Sequence, residues 1–577
     1  TSANAESINP YVGKLITGLS ISGVTAEQQA QLLPILTEKI GDAVSVDGVF
    51  KDVTNLGNTG YFSEVNPVFT TVPEGVKLDF AVTVNPITTG VAFEGNTVYT
   101  SEVLTKFMDL QPGQVLNSVY VGQKVQGINA AYARDGYMLA HVDGIRVDDQ
   151  GVLHVHIVEG IVEDIVPAGN KKTRDKVITR EFVQKKGKPF NKFLVRRSVE
   201  RVYNLGFFDD VNVRMLPGDQ DPNNVIIEID VLEHKTGTIT LGAGYSKSDG
   251  LMGIVEFGED NLRGTGDKFK VHWEIGGKKK YKNYQISYLK PWIDSKGTSL
   301  GFSFFNREDE YTDYNEDGNE VAEYNKKSRG FNISFGRQTG EYTRDYLTLE
   351  SRKDSYKWDD DDSSGFRYDK NAGKGKNWNN GSYNFANDKY VDKNFGRINS
   401  ITWQKVYDSR DNIYEPTRGR RISYTAQWAG HGLGGDFDFY KFTAEARMYK
   451  KLGAKNVLAF RARGGFIQGD APYSQLFTLG GADSLRGYED DQFRGKYMYN
   501  ATLEFRFPIV KKVSGVLFTD IGDAWDAPNV SWYNSKKTFN YGVGAGVRIT
   551  TPIGPVKLDY GVGKHKNKFH FSFGTQF

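Results

Sequence analysis

Tyr499-Asn500-Ala501-Thr502-Leu503-Glu504-Phe505-Arg506-Phe507 alternates apolar and polar residues without a break. A strand sends successive side chains to opposite faces, so this stretch has one greasy face and one polar, charged face. Tyr541, Val543, Ala545, Val547 and Ile549 repeat the pattern against Gly542, Gly544, Gly546 and Arg548. Phe442, Ala444, Ala446 and Met448 do so against Thr443, Glu445 and Arg447. A soluble sandwich also alternates, but its polar face rarely carries so many charges per strand. Apolar residues facing lipid and charged residues facing a lumen describe a transmembrane β-barrel.

Outward from these strands, residues 235–577 read as short alternating stretches separated by turns rich in Gly, Asn and Asp. At about 20 residues per strand and connection, they hold about 16 antiparallel strands. Residues 354–394, with Asp359-Asp360-Asp361-Asp362, resist a strand reading and suit a long surface loop. Asp313-Tyr314-Asn315-Glu316-Asp317-Gly318 opens like a calcium loop, but Tyr324 stands where the bidentate Glu is needed. A hairpin loop is the better reading, and no metal site is expected.

Before residue 235 the text is mixed α/β, and one unit is written three times. In the first, a strand-like Leu15–Ile21 leads to a helical 26–36, a second helix ending at Gly60-Tyr61-Phe62, and a strand over 76–84. The second has 91–96, a helix from Ser101, another ending at Asp135-Gly136-Tyr137, and the strand 152–158. The third has 161–167, Ala168-Gly169-Asn170, helices around 174–184 and 192–204, Gly206-Phe207-Phe208, and the strand 225–231. Each helix-ending glycine sits where the chain reverses and positive φ is favoured. The expected domains are 1–86, 87–160, 161–234 and the barrel 235–577.

Composition narrows function. Lys and Arg total 73 against 71 Asp and Glu, so no global basic surface argues for nucleic acid. Cysteine is absent, which removes disulfides and thiolate chemistry. Mean hydropathy is −0.51 and no apolar run is long enough for a transmembrane helix, while 64 Gly, 32 Tyr and 36 Phe suit a barrel. The sequence opens Thr1-Ser2-Ala3 with no signal region, which fits a processed, exported protein and equally a truncation. With no Gly-x-Ser-x-Gly, no His-Glu-x-x-His and no phosphate loop, an enzyme is not expected, nor a cofactor.

Gly480-Gly481-Ala482-Asp483-Ser484-Leu485-Arg486-Gly487-Tyr488 resembles the Arg-Gly-aromatic signature of the BamA/TamA superfamily. Tyr407-Asp408-Ser409-Arg410-Asp411-Asn412 with Pro416-Thr417-Arg418-Gly419, and Thr551-Pro552-Ile553-Gly554-Pro555, are similar to further motifs of that family. The repeats resemble its polypeptide-transport-associated (POTRA) domains, of β-α-α-β-β order. The resemblance implies that the loop of Leu485, Arg486, Gly487 and Tyr488 folds back into the lumen, with Arg486 paired to Asp520. A desolvated Arg needs such carboxylates, and Glu504 on the polar face of its strand is a second candidate. Parity puts Asp520 on the face of Phe518, so alternation alone does not aim it inward.

The last strand carries Phe569, Phe571 and Phe573 against His570, Ser572 and Gly574, and the sequence ends at Phe577. The first, 236–245, is weakly apolar, with Ile239 and Leu241 against Thr238, Thr240 and Gly242. Gly-rich edges pair weakly. The resemblance implies that this seam opens as a lateral gate in the outer membrane of a Gram-negative envelope, taking unfolded β-barrel clients delivered by periplasmic repeats. Periplasmic chaperones, accessory lipoproteins or a TamB-like partner, and outer-membrane lipid, are the implied partners. The alternatives are a TamA-like module for autotransporters or lipid transport, and a two-partner-secretion pore; the latter usually carries two repeats and a plug helix, against three repeats and no plug here.

Overall fold

The computed structural model describes residues 5–577 except 247–249, 277–280, 315–316, 319, 358–366, 369–394, 413–414, 528–535, 552–553 and 574–576. The chain divides into two compact units, Thr1–His234 and Lys235–Phe577.

The first unit holds three copies of one topology. Copy one is the strand Ile16–Ser22, the helices Ala26–Leu32 and Val46–Asn58, and the strands Phe62–Val72 and Gly75–Val84. Copy two is Gly90–Glu94, Ser101–Met108, Ser118–Arg134, His141–Val147 and Val152–Val158. Copy three is Val162–Ala168, Asp175–Thr179, Lys192–Tyr203, Phe208–Pro217 and Val225–Glu233. In each, the last strand lies in the middle, parallel to the first and antiparallel to the second. That central strand buries alternate residues: Val76, Leu78 and Phe80; Leu153, Val155 and Ile157; Val225, Ile227 and Ile229. The helices start on side-chain caps except Asp175–Thr179, which has none. Thr25 forms a capping box with Gln28, and Thr100, Asn117 and Asn191 each accept from a backbone N–H of the first turn.

Two glycine sets recur in register. Gly60, Gly136 and Gly206 stop the second helix of each copy at φ +83°, +97° and +75°. Gly23, Gly95 and Gly169 follow the first strand at φ +93°, +84° and +83°, where a Cβ would stand 2.1, 2.1 and 2.3 Å from the carbonyl oxygens of Val82, Ile157 and Val231. Successive copies meet at the helix-ending glycines. Asn117 donates from Nδ2 to the Thr59 carbonyl at 2.9 Å while Ser118 N donates to Gly60 O at 2.7 Å. Asn191 and Lys192 repeat this on Asp135 and Gly136, at 3.0 and 2.9 Å.

The loop after the first strand is held by a carboxylate from the end of the central strand. Glu159 accepts from Thr97 N and Val98 N, at 2.8 and 2.9 Å, and from the Tyr132 hydroxyl. Glu233 accepts from Lys171 N, Lys172 N and Thr173 N. Burial alone would raise the Glu233 carboxyl, but the Thr173 hydroxyl and these backbone donors outweigh it and hold the group below its ordinary value.

In the second unit sixteen long strands follow one another antiparallel from Gly237–Ser246 to Asn567–Phe573, with the two-residue Arg367–Tyr368 added beside them. Apolar Leu503 and Leu517 point outward, while Asn500, Thr502, Glu504 and Arg506 are buried inside. No helix among the described residues is long and apolar enough to cross a membrane, and the strands do the crossing. The first residues of the loop expected at 354–394 belong instead to the strand Thr343–Lys357. Asp354 lies buried in the strand Thr343–Lys357, accepting from the Ser328 hydroxyl at 2.6 Å and from Arg352 at 3.1 Å, because its charge faces the lumen. Asp359 to Asp362 lie outside the described residues. The calcium-like stretch is a hairpin end, with Asp313 and Tyr314 still in the strand Ser299–Tyr314; Asn315 and Glu316 lie outside the described residues.

Gly95→Ala should destabilise the second repeat by at least about 1–2 kcal/mol, since an L-residue is strained at positive φ and its Cβ meets a carbonyl. Gly122→Ala, in helix Ser118–Arg134 with open space around it, should be neutral or stabilise by up to about 1 kcal/mol. Thermal melts of the full-length chain read both. A depressed carboxylate contributes stability that is present above its unfolded value of about 4.3 and is lost as pH falls through the folded value. Hydrogen exchange of the 170–173 amides should therefore accelerate on acidification in the native chain and become pH-independent, after correction for intrinsic rates, in Glu233→Gln.

Candidate functional site

The segment 470–496 joins the strands Asn456–Gly469 and Tyr497–Val510 and turns back on itself. Phe477–Leu479 pairs antiparallel with Phe493–Gly495. Tyr473, Leu476, Phe477, Leu479, Leu485, Tyr488 and Phe493 pack with Ile467, Met498 and Ala524 of the barrel wall in one buried cluster. Gly480, Gly481 and Gly487 have φ of +128°, +97° and +99°, which lets the loop make its tight reversals. The Ser484 hydroxyl closes the turn, accepting from Gly480 N at 2.8 Å.

This turn delivers Arg486, only 3% exposed, to the inner wall. Its Nε and Nη2 donate to the two oxygens of Asp520 at 2.7 and 2.9 Å, a bidentate pair. Nη1 donates to Glu504 at 2.8 Å and to Asp559 at 3.4 Å. The Arg486 backbone N–H adds a bond to Asp520 at 3.0 Å, and the guanidinium lies 3.5 Å from the centre of the Phe518 ring. Asp520 and Phe518 therefore share one face, as parity gave, and that face turns inward, which alternation alone had left open. Arg506 donates to Glu504 at 2.8 Å, and Arg548 to Asp559 at 2.6 and 3.1 Å. Three guanidiniums thus face three carboxylates, and each buried charge has a partner.

Glycines on the wall make room. A Cβ at Gly542 would stand 1.8 Å from the Arg486 carbonyl oxygen, and one at Gly561 would stand 2.6 Å from Gly487 N. Gly487 N donates to His570 Nε2 at 2.9 Å, so that nitrogen is unprotonated here. The Tyr488 hydroxyl donates to Tyr541 O at 2.8 Å and accepts from Lys564 N at 3.0 Å. Lys557 donates to Asp483 at 2.8 Å, and Lys568 pairs with Glu489. The loop is consequently tied to each of the last five strands, Tyr497–Val510, Val513–Trp525, Asn540–Thr551, Gly554–Val562 and Asn567–Phe573.

Leu485, Arg486, Gly487, Tyr488, Glu504 and Asp520 come together. Sequence reasoning did not pick out Asp559, Arg506, Arg548 or Phe518, nor His570 as a loop partner. The polar-face positions of Lys557 and Asp559, and the glycine column Gly542, Gly544, Gly546, were the available signal. On the last strand Phe569 and Phe571 are 60% and 58% exposed and face outward, while His570 is buried inside. Ser572 lies on that inner face, the Phe573 side chain and Gly574 lie outside the described residues, and Phe577 places its ring 4.9 and 4.8 Å from the guanidiniums of Arg461 and Arg506. On the first strand Ile239 and Leu241 are 72% and 75% exposed, and Thr238 and Thr240 line a cavity of about 650 Å³ with Glu256, Lys270 and His272; Gly242, next after Leu241, is exposed. Among the described residues no ladder joins the first strand to the last. The Asp408 to Gly419 segment closes a turn in which Arg410 grips Asp408 and Asp411 accepts from Thr417 N and Arg418 N; Pro552 and Ile553 lie outside the described residues.

Arg486→Ala strands three buried carboxylates against two guanidiniums and should weaken loop docking by about 3–5 kcal/mol. His570→Phe leaves the Gly487 N–H unsatisfied and should cost about 1–3 kcal/mol. Protease added from the loop side of intact membranes should cut within 470–496 fastest in Arg486→Ala, more slowly in His570→Phe, and slowest in the native chain.

Residues 261–577 match the Omp85 superfamily domain, and residues 86–160 and 161–234 each match the surface antigen variable number repeat of the POTRA family. The chain is 24% identical over 569 residues to outer envelope protein 80, chloroplastic, of Arabidopsis thaliana, covering 93% of this chain and 74% of that protein. It is 26% identical to the outer membrane protein assembly factor BamA of Nitratidesulfovibrio vulgaris, covering 87% of this chain and 64% of the relative. In fold it matches BamA from Haemophilus ducreyi lacking POTRA domains 1–3, with TM-score 0.51 and 20% identity over 85% of this chain and 100% of the other. CdiB from Escherichia coli gives TM-score 0.60 at 14% identity, over 85% and 89%. The chain belongs to the Omp85 superfamily, as an outer-membrane β-barrel that carries POTRA repeats in the periplasm.

Proposed function

We propose that this protein is an insertase that folds β-barrel clients into the outer membrane through the seam between its first and last strands. The carrying observation is the asymmetry of that seam. The last strand is held by the docked loop through His570 and Lys568, whereas the first strand, Gly-rich and outwardly bare at Ile239 and Leu241, makes no ladder to it among the described residues. An unpaired edge offers main-chain donors and acceptors that a client strand of any sequence can meet, which is β-augmentation. The driving force is the client's own backbone pairing and burial in lipid, where an unpaired amide is costly. The BamA relatives, named as assembly factors, support the same reading. Clients arrive as unfolded chains along the periplasmic repeats, with chaperones and accessory lipoproteins as further partners.

A polypeptide pore or a TamA-like module is the second reading, since the same barrel fold could serve either. Against a lumenal path stands the loop 470–496, whose apolar side chains pack on the inner wall. The insertase needs no catalytic group.

Paired cysteines, one within 238–242 and one within 571–573, test this in a chain that has no native cysteine. Locking the seam should stop client assembly in proteoliposomes, and reduction should restore it. Assembly at the normal rate with the seam locked would overturn the proposal in favour of the pore.

A further inference from the structure

Three neighbouring strands of the barrel set like charges side by side on their inner faces. In the antiparallel register Arg421 of Gly419–Ala429 stands opposite Arg447 of Phe439–Leu452, and Arg447 stands opposite Arg461 of Asn456–Gly469. Side chains directly opposite in such a ladder lie about 5 Å apart, so like charges in one row repel. Arg463, at the next inward position, stands opposite Glu445 and adds a fourth guanidinium.

Countercharge is short at this row. Glu445 accepts from Arg447 Nε at 2.6 Å and from Arg421 at 3.3 Å. Asp408, opposite Arg421, is held by Arg410 at 2.7 Å, and the Asp483 carboxylate is taken by Lys557 at 2.8 Å. Arg461 donates to the Asp483 backbone carbonyl at 2.6 Å, and Arg463 to the Asn500 side chain at 3.2 Å; among the described residues neither pairs with a carboxylate. The Arg486 network on the adjoining strands matches three guanidiniums to three carboxylates, so this surplus is a local property of the row and not of the wall.

Two buried polar atoms at the same place have no partner among the described residues. They are Arg461 Nε and the hydroxyl of Thr502, the residue opposite Arg461 on the next strand. Thr502 is 2% exposed and Arg461 7%. Buried donors without acceptors are costly, and here both stand where positive charge is already in excess. Arg421 and Arg447 stay open to the lumen, with side chains 21% and 23% exposed, so a solute can reach the row.

We propose that this row is a binding site for a phosphate-class oxyanion. The planar forks of Arg421, Arg447 and Arg461 meet its oxygens two at a time, and the Thr502 hydroxyl is a further donor. The surplus of guanidiniums over Glu445 selects an anion of more than one charge. Bound there, the anion ties three strands together where their own side chains repel. The site does not rest on how the seam works. Its ligand is a free phosphate or the phosphate of a lipid headgroup.

Thermal melts of the full-length chain in non-ionic detergent, with inorganic phosphate titrated against sodium chloride at constant ionic strength, read the binding. The native chain should show a saturable rise in melting temperature that chloride does not reproduce. Arg447→Gln should weaken the apparent phosphate affinity about ten-fold, the loss of one charged hydrogen-bonding partner. Glu445→Gln removes the competing carboxylate and should tighten it about ten-fold, a direction that a folding defect cannot produce. Dihexanoyl phosphatidic acid separates the sources: tighter binding than inorganic phosphate assigns the site to a headgroup, and equal or weaker binding assigns it to the free ion. Equal stabilisation by chloride, or an affinity that neither substitution moves, would overturn the proposal.

Discussion

Three guanidiniums and three carboxylates lie buried together on the inner wall of the barrel, and the rest of the second unit is arranged around that fact. Arg486 comes from a loop, whereas Glu504, Arg506, Asp520, Arg548 and Asp559 come from four different strands. Taking such charges out of water costs several kcal/mol each, so the arrangement persists only when all six are present and correctly placed. The barrel wall cannot shift register at these strands without leaving a charge unpaired. The constraint also acts on backbone: Gly542 and Gly561 are glycines because the loop chain lies against them.

The network has little use as a source of stability, since a well-packed apolar core of similar volume serves at least as well. Its use is positional. It pins a loop to five consecutive strands, ending on His570 of the last, the strand that no ladder among the described residues joins to the first.

Much of this was legible in the sequence. The alternation of residues 499–507 fixed the faces of the strand, and the three Gly-aromatic reversals marked the repeats because positive φ leaves a compositional trace. The hairpin strands Phe62–Val72, His141–Val147 and Phe208–Pro217 left little trace, since edge strands with a solvated face hold no continuous apolar pattern. Asp354 was misread for a related reason: acidic residues suggest a loop, and only the surrounding lumen tells that this one lies within a strand with its charge inward. The partners of Arg486 beyond Glu504 and Asp520 were hidden because contacts across the barrel join residues far apart in the chain. His570 stood at a readable inward position, but nothing local says that a ring nitrogen there receives the Gly487 amide.

The seat of asparagine upon glycine recurs at both joints between repeats, with the same donor and the same backbone carbonyl each time. The middle repeat therefore carries both a plug, Asn117, and a socket, Asp135 with Gly136, of the same kind as those its two neighbours offer it. Duplication of such a module in a gene creates a new joint that already fits, and deletion heals across the gap without a second mutation. Arms of different length become reachable in single steps, and selection is free to adjust how far the arm extends without first having to invent an interface.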